Sequence, residues 1–212
     1  MDNVQQWAME QKAQQIIEIL KNKDFNAVYA KDLDEAKQTV LSMIPAGSSI
    51  AVGGSVTLNE MNLIDDFRKG DYKFIDRYNV KTFDEMLDKY REGFTSDVFV
   101  TSVNAVTKNG ELVCTDCTGN RTGAIAFGPK KVIVVIGVNK IVENIDEGIK
   151  RAKDVAPSNA KRINHKTPCV EDNICHNCHT SQCICNITSI IHNCYKFPGR
   201  ISVVVVPQVL GY

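Results

Sequence analysis

A chain of 212 residues, 43% of them hydrophobic, is long enough to bury one sizeable core. Its 25 basic and 25 acidic residues cancel to a net charge of zero, which speaks against a nucleic-acid binder, whose surface would carry a basic stripe. The N-terminus is polar and the longest apolar runs, 132–138 and 201–206, are too short to span a membrane, so a cytoplasmic protein is expected whose eight cysteines are thiols or metal ligands.

Helix and strand signals alternate along the chain. Val4, Ala8, Ile16, Ile19 and Leu20 recur at helical spacing, which predicts an N-terminal helix within residues 1–24. Residues 25–30 are strand-like. Asp32 and Glu35 then form a capping box for a helix to Ile44, stopped by Pro45 and Gly47. Residues 49–52 read as a short buried strand. Thr57 and Glu60 predict a second capping box, opening one helix that runs to Gly70, with a strand at 72–75. Thr82 and Glu85 cap a helix that stops at Gly93. One strand is expected over 97–106, and Asn109-Gly110 signals a hairpin returning along 111–115. A short helix over 119–127 precedes the strongest strand, 131–138. Asn144 and Glu147 start a helix lasting to about Val155. An irregular cysteine-rich loop occupies 167–186, and strand-like runs at 187–192 and 201–206 close the chain. Strands separated by helices imply a mostly parallel sheet covered on both faces. The expected fold is α/β, three layers (α/β/α), in a single domain over 1–212.

In open α/β sheets ligands bind beyond the carboxyl ends of the strands. Two loops there carry suitable chemistry. In Gly53-Gly54-Ser55-Val56-Thr57 the glycines let backbone approach a ligand, and the following helix offers unpaired N–H groups to an anion. The run has neither the Gly-Lys-Ser/Thr of a Walker loop nor the GxGxxG spacing, and Thr57 stands where a nucleophile elbow has its last glycine. In Asp116-Cys117-Thr118-Gly119-Asn120-Arg121 an acid, an amide and a guanidinium fall close together, and Arg121 is a bidentate donor for a carboxylate or phosphate. Both loops read as well as plain turns with capping side chains. Neither HExxH nor a Ser/His/Asp order nor an acid/base carboxylate pair stands out, so the catalytic residues stay unassigned.

Cys169, Cys175, Cys178, Cys183 and Cys185 crowd one polar segment, with His176 and His179 among them. Thiolates bind zinc and iron–sulfur clusters, and Cys-x2-Cys places two sulfurs on one tight turn. Cys114-x2-Cys117 is a redox dithiol, a partner to the later cysteines, or two unrelated buried thiols.

Three segments together resemble the lactate-utilisation (LUD) domain family: VGGSVTLNEMNL (52–63), TSVNAVTKNGELVCTDCTGNRTGAIAFGPKKVIVVIGVNKIV (101–142) and TPCVEDNICHNCHTSQCICN (167–186). With their connections they cover about residues 10–212. The middle segment is the most specific, with Asn104-Ala105, Asn109-Gly110-Glu111-Leu112, Gly119-Asn120-Arg121 and Phe127-Gly128-Pro129-Lys130-Lys131 in order. The resemblance implies a fold related to ribose-5-phosphate isomerases and CoA-transferases. It also implies a part in oxidising L-lactate to pyruvate beside iron–sulfur partner subunits; self-association suits such a fold. On this reading a small organic acid or phosphate-bearing metabolite meets Gly53, Gly54, Ser55, Thr57, Asn104, Asp116, Thr118, Gly119, Asn120 and Arg121. In one branch of the family the last segment is similar to P-C-x5-C-x2-C-x6-C-N. That pattern implies Cys169, Cys175, Cys178 and Cys185 as ligands of an iron–sulfur cluster (4Fe-4S) or of zinc, with Cys183 left over. Cys117 stands where the family has glycine, and Cys114 is also unusual. The alternative function is a non-enzymatic accessory or regulatory subunit with a structural zinc site. Isomerase or CoA-transferase chemistry rests on fold analogy alone.

Overall fold

A strand that is apolar on both faces needs a layer of structure over each. In the computed structural model, which describes residues 2–212, the strand Lys131–Gly137 sends Val132, Val134 and Ile136 into one core and Ile133 and Val135 into another. It lies at the centre of a six-stranded sheet made of β1 (Asn26–Tyr29), β2 (Ser49–Val52), β3 (Lys73–Phe74), β4 (Val98–Thr101), β7 (Lys131–Gly137) and β10 (Ile201–Val206). The order is β1-β10-β7-β4-β2-β3 and every pairing is parallel. On one face α1 (Asn3–Lys21) buries Ala13, Ile16, Ile17 and Leu20, and α6 (Asn120–Ala126) buries Ala124 and Ile125. The other face is covered by α2 (Leu33–Ser42), α3 (Val56–Glu60) and α4 (Leu63–Lys69), through Val40, Leu58, Leu63 and Phe67. The three-layer α/β/α arrangement with a mostly parallel sheet is the one expected.

A second, four-stranded sheet adds to it. Its strands are β5 (Ala105–Thr107), β6 (Leu112–Asp116), β8 (Ile141–Val142) and β9 (Ile187–Ile191), in the order β8-β5-β6-β9. The hairpin β5–β6 is antiparallel, with Gly110 in its turn at φ 85°. The long helix α7 (Ile145–Arg162) covers this sheet closely: a Cβ on Gly148 would lie 2.9 Å from Val113 Cγ2. Val106, Leu112 and Cys114 join the core beneath α1, so the small sheet packs directly on the large one.

Three elements differ from the sequence expectation. The predicted strand over 97–106 is two strands in different sheets, because residues 102–104 leave the central sheet for the second. The helix over 57–70 is two helices. Ser55, not Thr57, caps the first, since its side chain accepts from Leu58 N, and Asn62 at φ 53° breaks the chain between them. The helix begun at Asn144 runs on through Pro157 to Arg162, held by the buried face of Ala152, Ala156 and Ala160. A further single turn, α8 (Cys169–Asp172), lies inside the cysteine segment, with α5 (Phe83–Gly93) completing the set.

Behind β7 the chain at 207–210 presses on Gly137, where a Cβ would lie 2.7 Å from Leu210 N and 2.5 Å from Asn139 Oδ1. Overpacking against backbone has no flexible neighbour to yield. Gly137→Ala is therefore expected to cost about 1–3 kcal/mol in urea denaturation, and an unchanged midpoint would contradict this packing.

Candidate functional site

The chain leaves β2 toward β3 on one side and leaves β4 toward β7 on the other, so the loops after β2 and β4 part at their carboxyl ends. Such a divergence opens the crevice in which open α/β sheets bind ligands. Gly53 follows β2 and extends the ladder, donating to Val100 O at 3.0 Å. A Cβ on Gly53 would collide with Thr101 Oγ1 and lie 3.0 Å from Arg121 Cδ; one on Gly54 would lie 2.9 Å from Arg77 Nη1. The two sequence-predicted loops thus meet, with Arg121 of the second against Gly53 of the first.

Arg121 turns inward. Its Nη1 donates to Ser102 O (3.1 Å), its Nη2 donates to Thr115 O (2.6 Å) and Asn104 Oδ1 (3.1 Å), and its Nε faces Asp116 Oδ1 at 3.5 Å. Asp116 Oδ2 in turn accepts from Arg121 N (2.7 Å) and Thr122 N (3.4 Å). The first N–H groups of α6 are thus held by the protein's own carboxylate. Asn104, Asp116 and Arg121 therefore form one brace between the sheets. Thr118 Oγ1 donates to Asn120 Oδ1 (2.8 Å), and Gly119 makes the turn at φ 85°. Ser55 is spent as a helix cap, its Oγ accepting from Leu58 N at 3.4 Å.

Two cations at this edge are absent from the sequence-based site. Lys140 follows β7 and is buried; its ammonium donates to Ser102 Oγ (2.8 Å) and Thr57 Oγ1 (3.1 Å). Burial, with Arg151 and Arg121 adding to it, brings its pKa down to about 7. A lysine inside the apolar run GVNKIV was the one available signal. Arg77, in the loop between β3 and α5, lies over the rings of Tyr90 and Tyr78, 4.6 and 5.2 Å from their centroids. Nothing in its local sequence marks it.

The cysteine segment lies beside this edge. Cys169, Cys175, Cys178, Cys183 and Cys185, with His176 and His179, line a cavity of about 300 Å³ against Ala156 and Pro157 of α7. The segment is tethered: Lys153 Nζ donates to Asn177 Oδ1 (2.8 Å), and Asn186 Nδ2 donates to Cys117 O and Cys183 O (both 3.0 Å). Cys117 Sγ donates to Cys183 O at 3.4 Å, so Cys117 faces the cysteine loop, whereas Cys114 is sealed in the core. Burial raises the Cys114 thiol to about 11 and keeps it protonated. Burial likewise pushes Cys185 up to about 12, and the sulfurs of Cys183, Cys175, Cys169 and Cys178 add to the rise. At Cys185 a cation in place of the proton would relieve that cost. Among the described residues no three His, Cys, Asp or Glu side chains are gathered closely enough to clasp a single ion. His176 Nε2 is paired with Asp172 (2.9 Å).

A family model described as the LUD domain matches residues 13–206. Among solved structures, a DUF162 family protein from Deinococcus radiodurans superposes with a TM-score of 0.51 at 12% identity, over 93% of this chain and 97% of that one. Curated proteins give no significant match.

Two outcomes test this geometry. Arg121→Ala strands buried carbonyl groups at about 1–3 kcal/mol each, so the unfolding free energy should fall by about 2–4 kcal/mol. No loss would remove Arg121 as a brace. For Lys140 the unfolded chain binds its proton below the ordinary value of 10.5, the folded chain only below about 7. Stability should therefore rise with pH across that window. Urea titrations of wild type and Lys140→Met at pH 7, 8.5 and 10 should show the rise in wild type alone.

Proposed function

The chain belongs to the LUD domain family, and on that footing we propose that it acts in the oxidation of a small 2-hydroxy acid such as L-lactate. It binds the acid, or a phosphate-bearing relative, at the crevice edge formed by residues 53–57 and 116–121. It holds an iron–sulfur cluster through Cys169, Cys175, Cys178 and Cys185. The setting is a reducing cytoplasm, with iron–sulfur subunits as partners and self-association open to it.

The observation that carries this reading is the convergence of five cysteines on one cavity whose wall continues into the ligand loop. Cys117 belongs to the turn 116–121 and touches Cys183. A single zinc needs four donors about 2.3 Å from one centre. Sulfurs spread around about 300 Å³ suit a group with several metal centres better, each taking one thiolate. A cluster bound there supplies one-electron transfer. The residues do the rest: Asn186 joins the cysteine loop to the ligand loop through Cys117 O, and the Arg121–Asp116–Asn104 brace keeps the crevice edge in place. Lys140 places a cation beneath the same edge, set against Ser102 and Thr57.

Anaerobic purification without added metal, followed by iron, sulfide and zinc analysis, tests the proposal. About four irons with matching sulfide per chain are expected, lost in Cys178→Ser and largely kept in Cys183→Ser. About one zinc and no colour would turn the reading toward an accessory subunit with a structural zinc. Equal metal content in wild type and Cys178→Ser would defeat the ligand assignment.

A further inference from the structure

Recognition of an organic acid needs a cation with donors to spare at the crevice. Arg121 has at most one N–H to offer, because Ser102 O, Asn104 Oδ1, Thr115 O and Asp116 take the other four. Arg77 is different. A guanidinium carries five N–H donors; among the described residues only Nη2 of Arg77 is engaged, by Tyr90 Oη and by Met86 Sδ at 3.8 Å. Its Nε is buried and has no acceptor among the described residues. A buried donor left unpaired in this way costs about 1–3 kcal/mol, a cost that an arriving acceptor relieves.

The group is also held in place. Two tyrosine rings flank it, and Gly54 gives it room, since any side chain there would meet Nη1 at 2.9 Å. Beside it lies a cavity of about 10 Å³ lined by Val52, Tyr90 and Asn120 together with Arg77 and Lys89. Of the two cations, Lys89 is paired with Glu92 at 2.7 Å. A space of that size takes one water-sized atom. It admits one oxygen of a bound anion. A fixed planar donor is the side chain best matched to a carboxylate.

We infer that Arg77 is the residue that receives the ligand's carboxylate, one oxygen of which enters the small cavity between β2 and α5. This rests on the reading of the crevice as an organic-acid site. It makes Gly54 a specificity-determining position through the space it leaves for the guanidinium.

Calorimetric titration of the full chain with L-lactate, pyruvate and inorganic phosphate tests it, with thermal unfolding of each variant as the check on folding. Wild type should bind at least one of the two carboxylates more tightly than phosphate. Arg77→Met, which keeps the apolar stem, should weaken that binding at least tenfold. Arg77→Lys should recover little of it, because an ammonium lacks the planar fork. Gly54→Ala should weaken it by displacing Nη1 and leaves Arg77 itself present, so it answers the question even if the Arg77 variants do not fold. Carboxylate binding that is unchanged in Arg77→Met or in Gly54→Ala would overturn the role of Arg77 and leave the organic-acid reading intact. Tighter binding of phosphate would overturn the carboxylate assignment. A wild type that binds none of the three would overturn the organic-acid reading, and this inference with it.

Discussion

Arg121 stands where the two sheets meet, and its guanidinium satisfies groups from both: Ser102 O beyond β4 and Thr115 O in β6. Removing a charge from water is costly unless it is paired and hydrogen-bonded, and here three oxygens and a carboxylate do that. The loop that leaves the central sheet at Ser102, the hairpin that carries Asn104 and the turn that ends in α6 all take their positions from this one group. Arg151 repeats the device from the far side, donating to Asn104 O (2.6 Å) and Asn139 O (3.1 Å), and so ties α7 to the same junction. A crevice edge built on two arginines keeps its loops in register through hydrogen bonds to their backbone carbonyls.

The edge is consequently rich in positive charge and poor in free donors. Arg121, Arg151 and Lys140 lie close enough that the first two help to depress the third. Each is committed to protein oxygens. What remains for a ligand is the outer rim, where the turn at Gly53 and Gly54 meets the aromatic pair that flanks Arg77. Structural cations beneath and Arg77, the recognition cation proposed above, at the rim make a layered arrangement, in which the inner charges also raise the local potential for an anion.

Much of the fold was legible because it is written in local patterns. The capping boxes at Asp32/Glu35, Thr82/Glu85 and Asn144/Glu147 are all realised as caps. The unbroken run at 131–137 was identifiable as a doubly buried strand. The second sheet was not, because the switch from β4 to β5 happens in three residues flanked by apolar runs, with neither glycine nor proline to mark it. Thr57/Glu60 matched a capping box by spacing, yet Ser55 holds the cap and Thr57 serves Lys140 instead. The two loops at the crevice edge were legible as strand-to-helix turns with small and polar residues. Their internal wiring was not, since the partners of Arg121 and Lys140 come from other elements of the fold; Lys140 and Thr57 are 83 positions apart. Arg77 was invisible for the same reason: its meaning comes from Gly54 and Tyr90, which the fold brings to it.

The order of the central strands carries a consequence for biosynthesis. Among the described residues the only neighbour of β1 within the sheet is β10, and their paired residues Asn26 and Ser202 lie 176 positions apart. A ribosome adding about 5–20 residues per second leaves β1 waiting for roughly 10–35 seconds before its partner emerges. During that interval the nascent chain exposes the unpaired edges of both β1 and β7, the groove that β10 later fills. Long-range parallel pairing is slow, and open strand edges are sticky. The valine-rich strand 201–206 is thus the last to enter the central sheet, and its insertion closes the edges of β1 and β7 together.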